Sequence, residues 1–169
     1  VGVLTSAPVR TWSPVEAAVA LAIGGSLLAT TVPEFVRNLH ASRLVEPIEG
    51  LERIGARATA RAAGLPTESA YPESVGLTPE RVAKGERLLD PPGTWDHPTW
   101  RTLGFSFSSP HSFSFAFESR NGAPVATFRA FAHGDLDGDG NLSTFELGGR
   151  SAEGAQPELF HLEIHREVE

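Results

Sequence analysis

TWSPVEAAVALAIGGSLLATTVPEF, residues 11–35, holds seventeen consecutive uncharged positions from Ala17 to Pro33 between two carboxylates, Glu16 and Glu34. Roughly 18 or more mostly apolar residues, wound as a helix, reach across a hydrocarbon layer about 30 Å thick. This run is rich in alanine, carries Gly24 and Gly25 side by side, and includes the hydroxyls Ser26, Thr30 and Thr31. Small residues let helix backbones approach closely, so the mixture suits a helix packed on other helices better than one surrounded by lipid. Ala18, Ala22, Ser26 and Thr30 recur at every fourth position along one side. A helix that associates with copies of itself needs such a side.

Glu16 stands at the mouth of the run. An ionisable group there is costly unless it meets a cation or a hydrogen-bond donor, which marks it as a candidate assembly residue. The plainer alternative is an acid in the first helical turn, favoured by the helix dipole.

Beyond Pro33 the apolar positions Phe35, Leu39, Leu44 or Val45, Ile48, Leu51, Ile54, Ala58 and Ala62 step by threes and fours. One long helix is expected from about Pro14 to about Ala63, bent at Pro33 and Pro47 and ended by Gly64-Leu65-Pro66. Two helices broken at Pro47 are the alternative. The first half is apolar all round and the second amphipathic, so something must cover one side of the second half. Residues 64–100 read as a connecting loop rich in Pro, Gly, Ser and Thr, with a short helix over Thr78–Leu89 capped by Thr78 and begun by Pro79. The stretch WDHPTWRTLGF, residues 95–105, is expected to pack over the edge of the domain, with His97 an exposed loop histidine rather than a catalytic one.

From Phe105 onward the period falls to two. Phe113, Phe115 and Phe117 alternate with smaller residues as a half-buried strand. Asn121-Gly122 gives a type I′ turn signal, and Val125–His133 forms the return strand. Phe160, Leu162 and Ile164 alternate with His161, Glu163 and His165 as a third strand. His161 and His165 share a face with Glu163, either as transition-metal ligands or as a solvated strand face, the latter preferred. An antiparallel sheet with one aromatic face needs a helix on it, and the amphipathic helix half is the available cover. The fold class is therefore α+β.

Asp135, Asp137, Asp139, Gly140, Asn141, Ser143 and Glu146 reproduce the twelve-residue calcium loop of EF-hands position by position. Asn141 would offer its backbone carbonyl, Ser143 its hydroxyl or a water, and Glu146 a bidentate carboxylate. Oxygen-only ligands select a hard ion, Ca²⁺ over Zn²⁺. An Asx-rich turn without metal is the alternative. The flanks are not those of an EF-hand: a strand pattern precedes the loop and two glycines follow it. A structural site pinning the connection between two strands is expected, not a paired sensor.

Counted from Trp12 as a first residue, Glu16 and Pro33 fall where mature type IV pilins carry their helix glutamate and helix proline. Residues 12–35 thus resemble a type IV pilin or pseudopilin N-terminus. The run from Phe113 to Glu146 resembles the C-terminal part of pilin-like proteins bearing a DxDxDG loop. The resemblance implies a pilin-like fold, a long N-terminal helix packed on a small antiparallel sheet. It divides the chain into an extension (1–11), a hydrophobic helix for membrane and filament core (12–34) and a globular domain (35–169). It implies a structural subunit of an extracellular filament, assembled with copies of itself or other pilin-like subunits, and anchored in the inner membrane beforehand. A pseudopilin of a secretion system, or a single-pass anchored calcium-binding module, is the alternative. One departure stands out: Thr11 occupies the place of the glycine at which pilin precursors are cut, and eleven residues precede Trp12. Arg10 is the candidate cation for Glu16 of a neighbouring subunit.

Composition sharpens these expectations. The chain of 169 residues has no Cys, which removes disulfides, thiol catalysis and thiolate metal sites. Its net charge of -7 lies in residues 71–169, where fifteen acidic residues outnumber eight basic ones. An acidic domain without a basic stripe argues against nucleic acid as a partner. No nucleophile triad, phosphate loop or free carboxylate pair is visible, so no enzyme is expected.

Overall fold

The computed structural model describes residues 13–166, apart from the side chains of 24, 27, 28, 30–43 and 166. Helix α1 spans Pro14–Ala62 and is assigned as helix through both internal prolines. The chain divides into two units, one ending at Ala41 and the other beginning at Ser42. Among the described residues no helix is long and apolar enough to cross a membrane. The expectation placed on residues 12–34 falls in part outside what is described, since Trp12 and several side chains of the run belong to neither unit's described atoms.

In the first unit, the N-terminus of α1 is closed by a reciprocal capping box. The Ser13 hydroxyl accepts the Glu16 backbone N–H at 3.2 Å, and the Glu16 carboxylate accepts the Ser13 N–H at 2.9 Å. Downstream, Val15, Val19, Leu21 and Ile23 remain 72%, 52%, 76% and 58% exposed.

The second unit is an antiparallel sheet carrying the rear of α1 on one face. Its strands are β1 (Val75–Thr78), β2 (Phe113–Arg120), β3 (Val125–Gly134), β4 (Ser143–Ala152), β5 (Glu158–Leu159) and β6 (Glu163–Arg166). They run in the order β1-β2-β3-β4-β5, and β6 also pairs with β4. The core face is set by size matching across the ladder. Phe115 stands opposite Ala132, which stands opposite Phe145; Phe117 faces Ala130, which faces Leu147; Phe113 faces Gly134. Each bulky ring thus lies beside a small neighbour, which lets a single layer of rings interdigitate without voids.

Leu51, Ile54 and Ala58 of α1 are fully buried on this layer, and Ala62 nearly so. Two helical glycines set how near α1 comes. A Cβ on Gly50 would sit 2.6 Å from the Phe115 ring, and one on Gly55 would sit 2.7 Å from Leu147 and Leu159. Glycine costs a helix about 1 kcal/mol in propensity, which close approach to the sheet offsets here.

Four local expectations are corrected. The helix over Thr78–Leu89 is absent: Thr78 ends strand β1, and its hydroxyl accepts the Trp100 indole N–H at 2.9 Å instead of capping a helix. The segment beyond it is drawn into tertiary bridges, Lys84 with Asp135 and Leu88 with His111, and Gly85 adopts φ 67°. Asn121-Gly122 is no I′ turn. β2 and β3 are joined by Asn121–Pro124, and Asn121 spends its amide on both backbone groups of Tyr71, at 3.0 and 2.8 Å. The WDHPTWRTLGF stretch does not lie at an edge: helix α2 (Pro98–Leu103) puts Trp100 at 0% exposure in the core. His97 is exposed and caps α2 by accepting the Thr99 N–H at 3.3 Å. Finally, the last strand begins only at Glu163, because Phe160 turns back to donate its N–H to Gly148.

Candidate metal centre

The acidic loop begins where β3 ends and closes where β4 begins, Gly134 pairing with Ser143. The hairpin geometry therefore fixes both ends of the loop. Between them, Asp135, Asp137 and Asp139 bring carboxylate oxygens within 4.8 Å of one another, a group able to hold a metal ion. Asp135 is buried at 2% exposure while the other two are exposed.

The loop is pre-shaped by its own hydrogen bonds. Asp135 accepts the Gly138 N–H at 2.8 Å and the Gly140 N–H at 3.2 Å. Asp137 accepts the Asp139 N–H at 3.1 Å. Asp139 accepts the backbone and side-chain N–H groups of Asn141, at 2.7 and 2.6 Å. The Asn141 backbone bond, then the side-chain bond, hold the Asp139 carboxyl below the usual carboxylate range. Gly138 and Gly140 take φ 81° and 92°, conformations that a side chain resists. Each carboxylate oxygen offers two lone pairs, so the donors already present leave capacity for a cation. The donor set is oxygen alone, which fits a hard ion.

The remaining positions of the twelve-residue pattern are placed differently. Ser143 is buried at the start of β4. Glu146 lies on β4 opposite Phe131 and outside the three-carboxylate group. Its oxygens meet Arg129 at 3.4 Å and His165 at 3.1 Å. Glu118 and Arg129 pair beside them at 3.1 Å, so Glu146 belongs to a charge ladder on the sheet face away from α1. His165 also approaches Glu163, at 3.8 Å, while His161 is exposed outside the strands. A strand alternates its side chains, and this sends the twelfth residue to the outer face while Phe145 and Leu147 point inward.

Sequence reading missed the partner of this loop. The Asp135 carbonyl accepts the Gly85 N–H at 2.7 Å, and a Cβ on Gly85 would lie 3.7 Å from the Asp137 backbone. The available signal was Gly85 itself, a glycine interrupting the helical pattern over Thr78–Leu89, which the structure holds at φ 67°. Of the assembly candidates, Glu16 sits in its capping box, Pro33 is described only as backbone within α1, and Arg10 lies outside the described residues.

No family model, curated protein or solved structure matches this chain.

Proposed function

We propose that the chain is a structural subunit of a type IV pilus-like filament or a related secretion pseudopilus, associating through the front of α1 and braced by calcium at Asp135, Asp137 and Asp139. The observation that carries the reading is the exposure of Val15, Val19, Leu21 and Ile23 along one helix, at 52% or more each. Contiguous exposed apolar surface on a helix marks a surface that another molecule covers. Small residues at Ala18, Ala22 and Ser26 let a neighbouring helix come close.

Glu16 bonds its own first turn in the single chain. In a filament it would exchange that donor for a cation, with Arg10 of a neighbour as the candidate. Helices leaving a bilayer gain little hydrophobic energy by associating, so packing and that ion pair would supply the difference. Chemistry has no part in the mechanism.

Oxygen-only donors favour calcium as the ion, and in a chain without Cys such a clasp would be the cross-link available to an exposed domain. Sites of this type outside cells work at about 10⁻⁴–10⁻³ M.

Electron microscopy of the full chain, with millimolar calcium and with chelator, tests the reading. Filaments that disappear in the Val15, Val19 and Ile23 serine variant are expected. A monodisperse monomer under both conditions, with no binding to lipid vesicles, would sink it. A monomer that sediments only with vesicles would favour a single-pass anchored module instead.

A further inference from the structure

On the side of α1 turned away from the ring layer, Arg53, Arg57 and Arg61 follow one another at every fourth position. Each stems from the helix about 6 Å further along its axis than the last. Arg53 and Arg57 are exposed and Arg61 is half-buried. Like charges at this spacing repel and weaken a helix. The chain itself does not relieve them: among the described residues, none of the three side chains makes an ion pair or a hydrogen bond. Elsewhere in the sheet unit Arg87, Arg101, Arg129 and Arg150 each meet a carboxylate, at 2.9 to 3.2 Å.

Two details single the row out. Glu49 stands four residues before Arg53, the favourable order for a helical ion pair. Arg53 instead lies over the Phe105 ring, its Cζ 5.1 Å from the centroid. That contact anchors the cation and leaves its N–H donors without an acceptor. The Arg61 Nε is shut off from solvent and has no acceptor either, a cost that the single chain carries on this side of α1. The exposed Ala56 and Ala60 lie beside the arginines and leave them open to a close approach. Acceptors abound in the rest of the chain. Fifteen acidic residues outnumber eight basic ones over residues 71–169, and Glu73, Glu80, Glu86 and Glu153 are exposed without an ion pair among the described residues.

We propose that the row Arg53, Arg57 and Arg61 is an interaction surface for a second copy of this chain, which sets carboxylates of residues 71–169 against it. Arginine suits the task, because its planar fork of donors matches a carboxylate. The contact joins two different surfaces, so it can repeat from copy to copy. A polyanion or an anionic bilayer would lay continuous negative charge against a chain of net charge -7. A second copy can present discrete carboxylates and keep the rest of its acidic surplus turned away. The row belongs to the sheet-bearing unit, so the contact is separate from association through the front of α1.

Two measurements on the full chain decide it. The first is sedimentation at about 20 mM and about 300 mM salt, the higher of which screens exposed charges. It is made on the chain bearing the Val15, Val19 and Ile23 serine changes, so that failure of the front-helix reading and failure of this one are seen apart. That chain should associate in low salt and dissociate in high salt. Adding Arg53→Gln, Arg57→Gln and Arg61→Gln should weaken the low-salt association about tenfold with the thermal midpoint kept. The second is carbodiimide coupling, which joins an amine to a carboxylate, on the Arg57→Lys chain as a mixture of ¹⁵N-labelled and unlabelled copies. A bond from position 57 of one copy to a carboxylate within residues 71–169 of another is expected. A monomer at low salt, equal association in the glutamine variant, or bonds within single copies only would each overturn the proposal. So would retention on phosphatidylserine vesicles or on DNA by a chain that stays monomeric. Should the triple glutamine variant fail to fold, Arg57→Gln alone decides in its place.

Discussion

Helix α1 is one element with two fates. In its rear half Leu51, Ile54 and Ala58 are fully buried against a sheet, whereas in its front half Val15 and Leu21 stand 72% and 76% exposed. The two halves differ both in how apolar they are and in how their apolar residues are spaced. The rear half interleaves them with Glu49, Glu52, Arg53 and Arg57, so one face is dry and the other charged. The front half has no charge from Ala17 to Pro33, so it offers no charged face to set against water there. A stripe needs one partner surface, which the chain's own sheet supplies; an uncharged stretch without such a stripe finds no matching surface in its own unit. Among the described residues the first unit contains no element besides α1.

The buried side of this contrast breaks most severely at Phe115. Its ring lies under Gly50 and beside Phe105 at 5.1 Å, with no exposure. Phe115→Ala should cost about 3–5 kcal/mol in denaturant unfolding, the usual range for an aromatic truncated in a core. A loss below about 1 kcal/mol would mean that the rear half of α1 is not seated on the ring layer.

Gly50 tests the same seat from the other side. Alanine there gains helix propensity but drives a methyl group to within 2.6 Å of a ring that cannot move freely. Overpacking of this kind costs about 1–3 kcal/mol and outweighs the propensity gain of about 1 kcal/mol. Gly50→Ala should therefore lower stability, whereas the same change at the exposed Gly25, where nothing lies within 4 Å, should not.

Much of the buried half was legible in the residues. The alternation of Phe113, Phe115 and Phe117 and the stripe from Leu51 to Ala62 each obey one period, so local pattern and tertiary role coincide. What stayed hidden depended on distant partners. Thr78-Pro79 has the chemistry of a helix start, but Trp100 claims the Thr78 hydroxyl from 22 residues away. Asn121-Gly122 has the chemistry of a tight turn, but Tyr71 claims the Asn121 amide. Strand β4 was masked by the acidic motif that runs into it and by Gly148 and Gly149. Gly149 is small because the Phe128 ring would meet a Cβ there at 2.6 Å. In the metal loop the three aspartates were readable from spacing alone, while the place of Glu146 depended on which way a strand turned its side chains.

A smaller effect is expected at Asp135, which couples the sheet to the acidic loop. Asp135→Asn keeps one oxygen for Gly138 or Gly140 and loses charge, so the metal-free protein should weaken by only about 1–2 kcal/mol. The larger signal is in calcium response. A site at about a hundredfold its dissociation constant stabilises by about 2.7 kcal/mol; the thermal midpoint of the unaltered chain should rise with calcium, and that of the variant should not. An equal rise in both would remove Asp135 from the site.

The exposed half of α1 should show the smallest effect on folding and the largest on association. Val15, Val19 and Ile23 lie at successive fourth positions, each more than half exposed. Replacing all three by serine removes no buried contact, so the unfolding of the sheet unit should shift by less than about 0.5 kcal/mol. If these side chains meet neighbouring copies, the same change sets polar groups in a desolvated seam, and sedimentation should show assembly lost while the calcium-dependent midpoint is kept. Stability lost together with assembly would mean that the front half is folded against its own chain, and that the two halves of α1 do not differ in the way their burial implies.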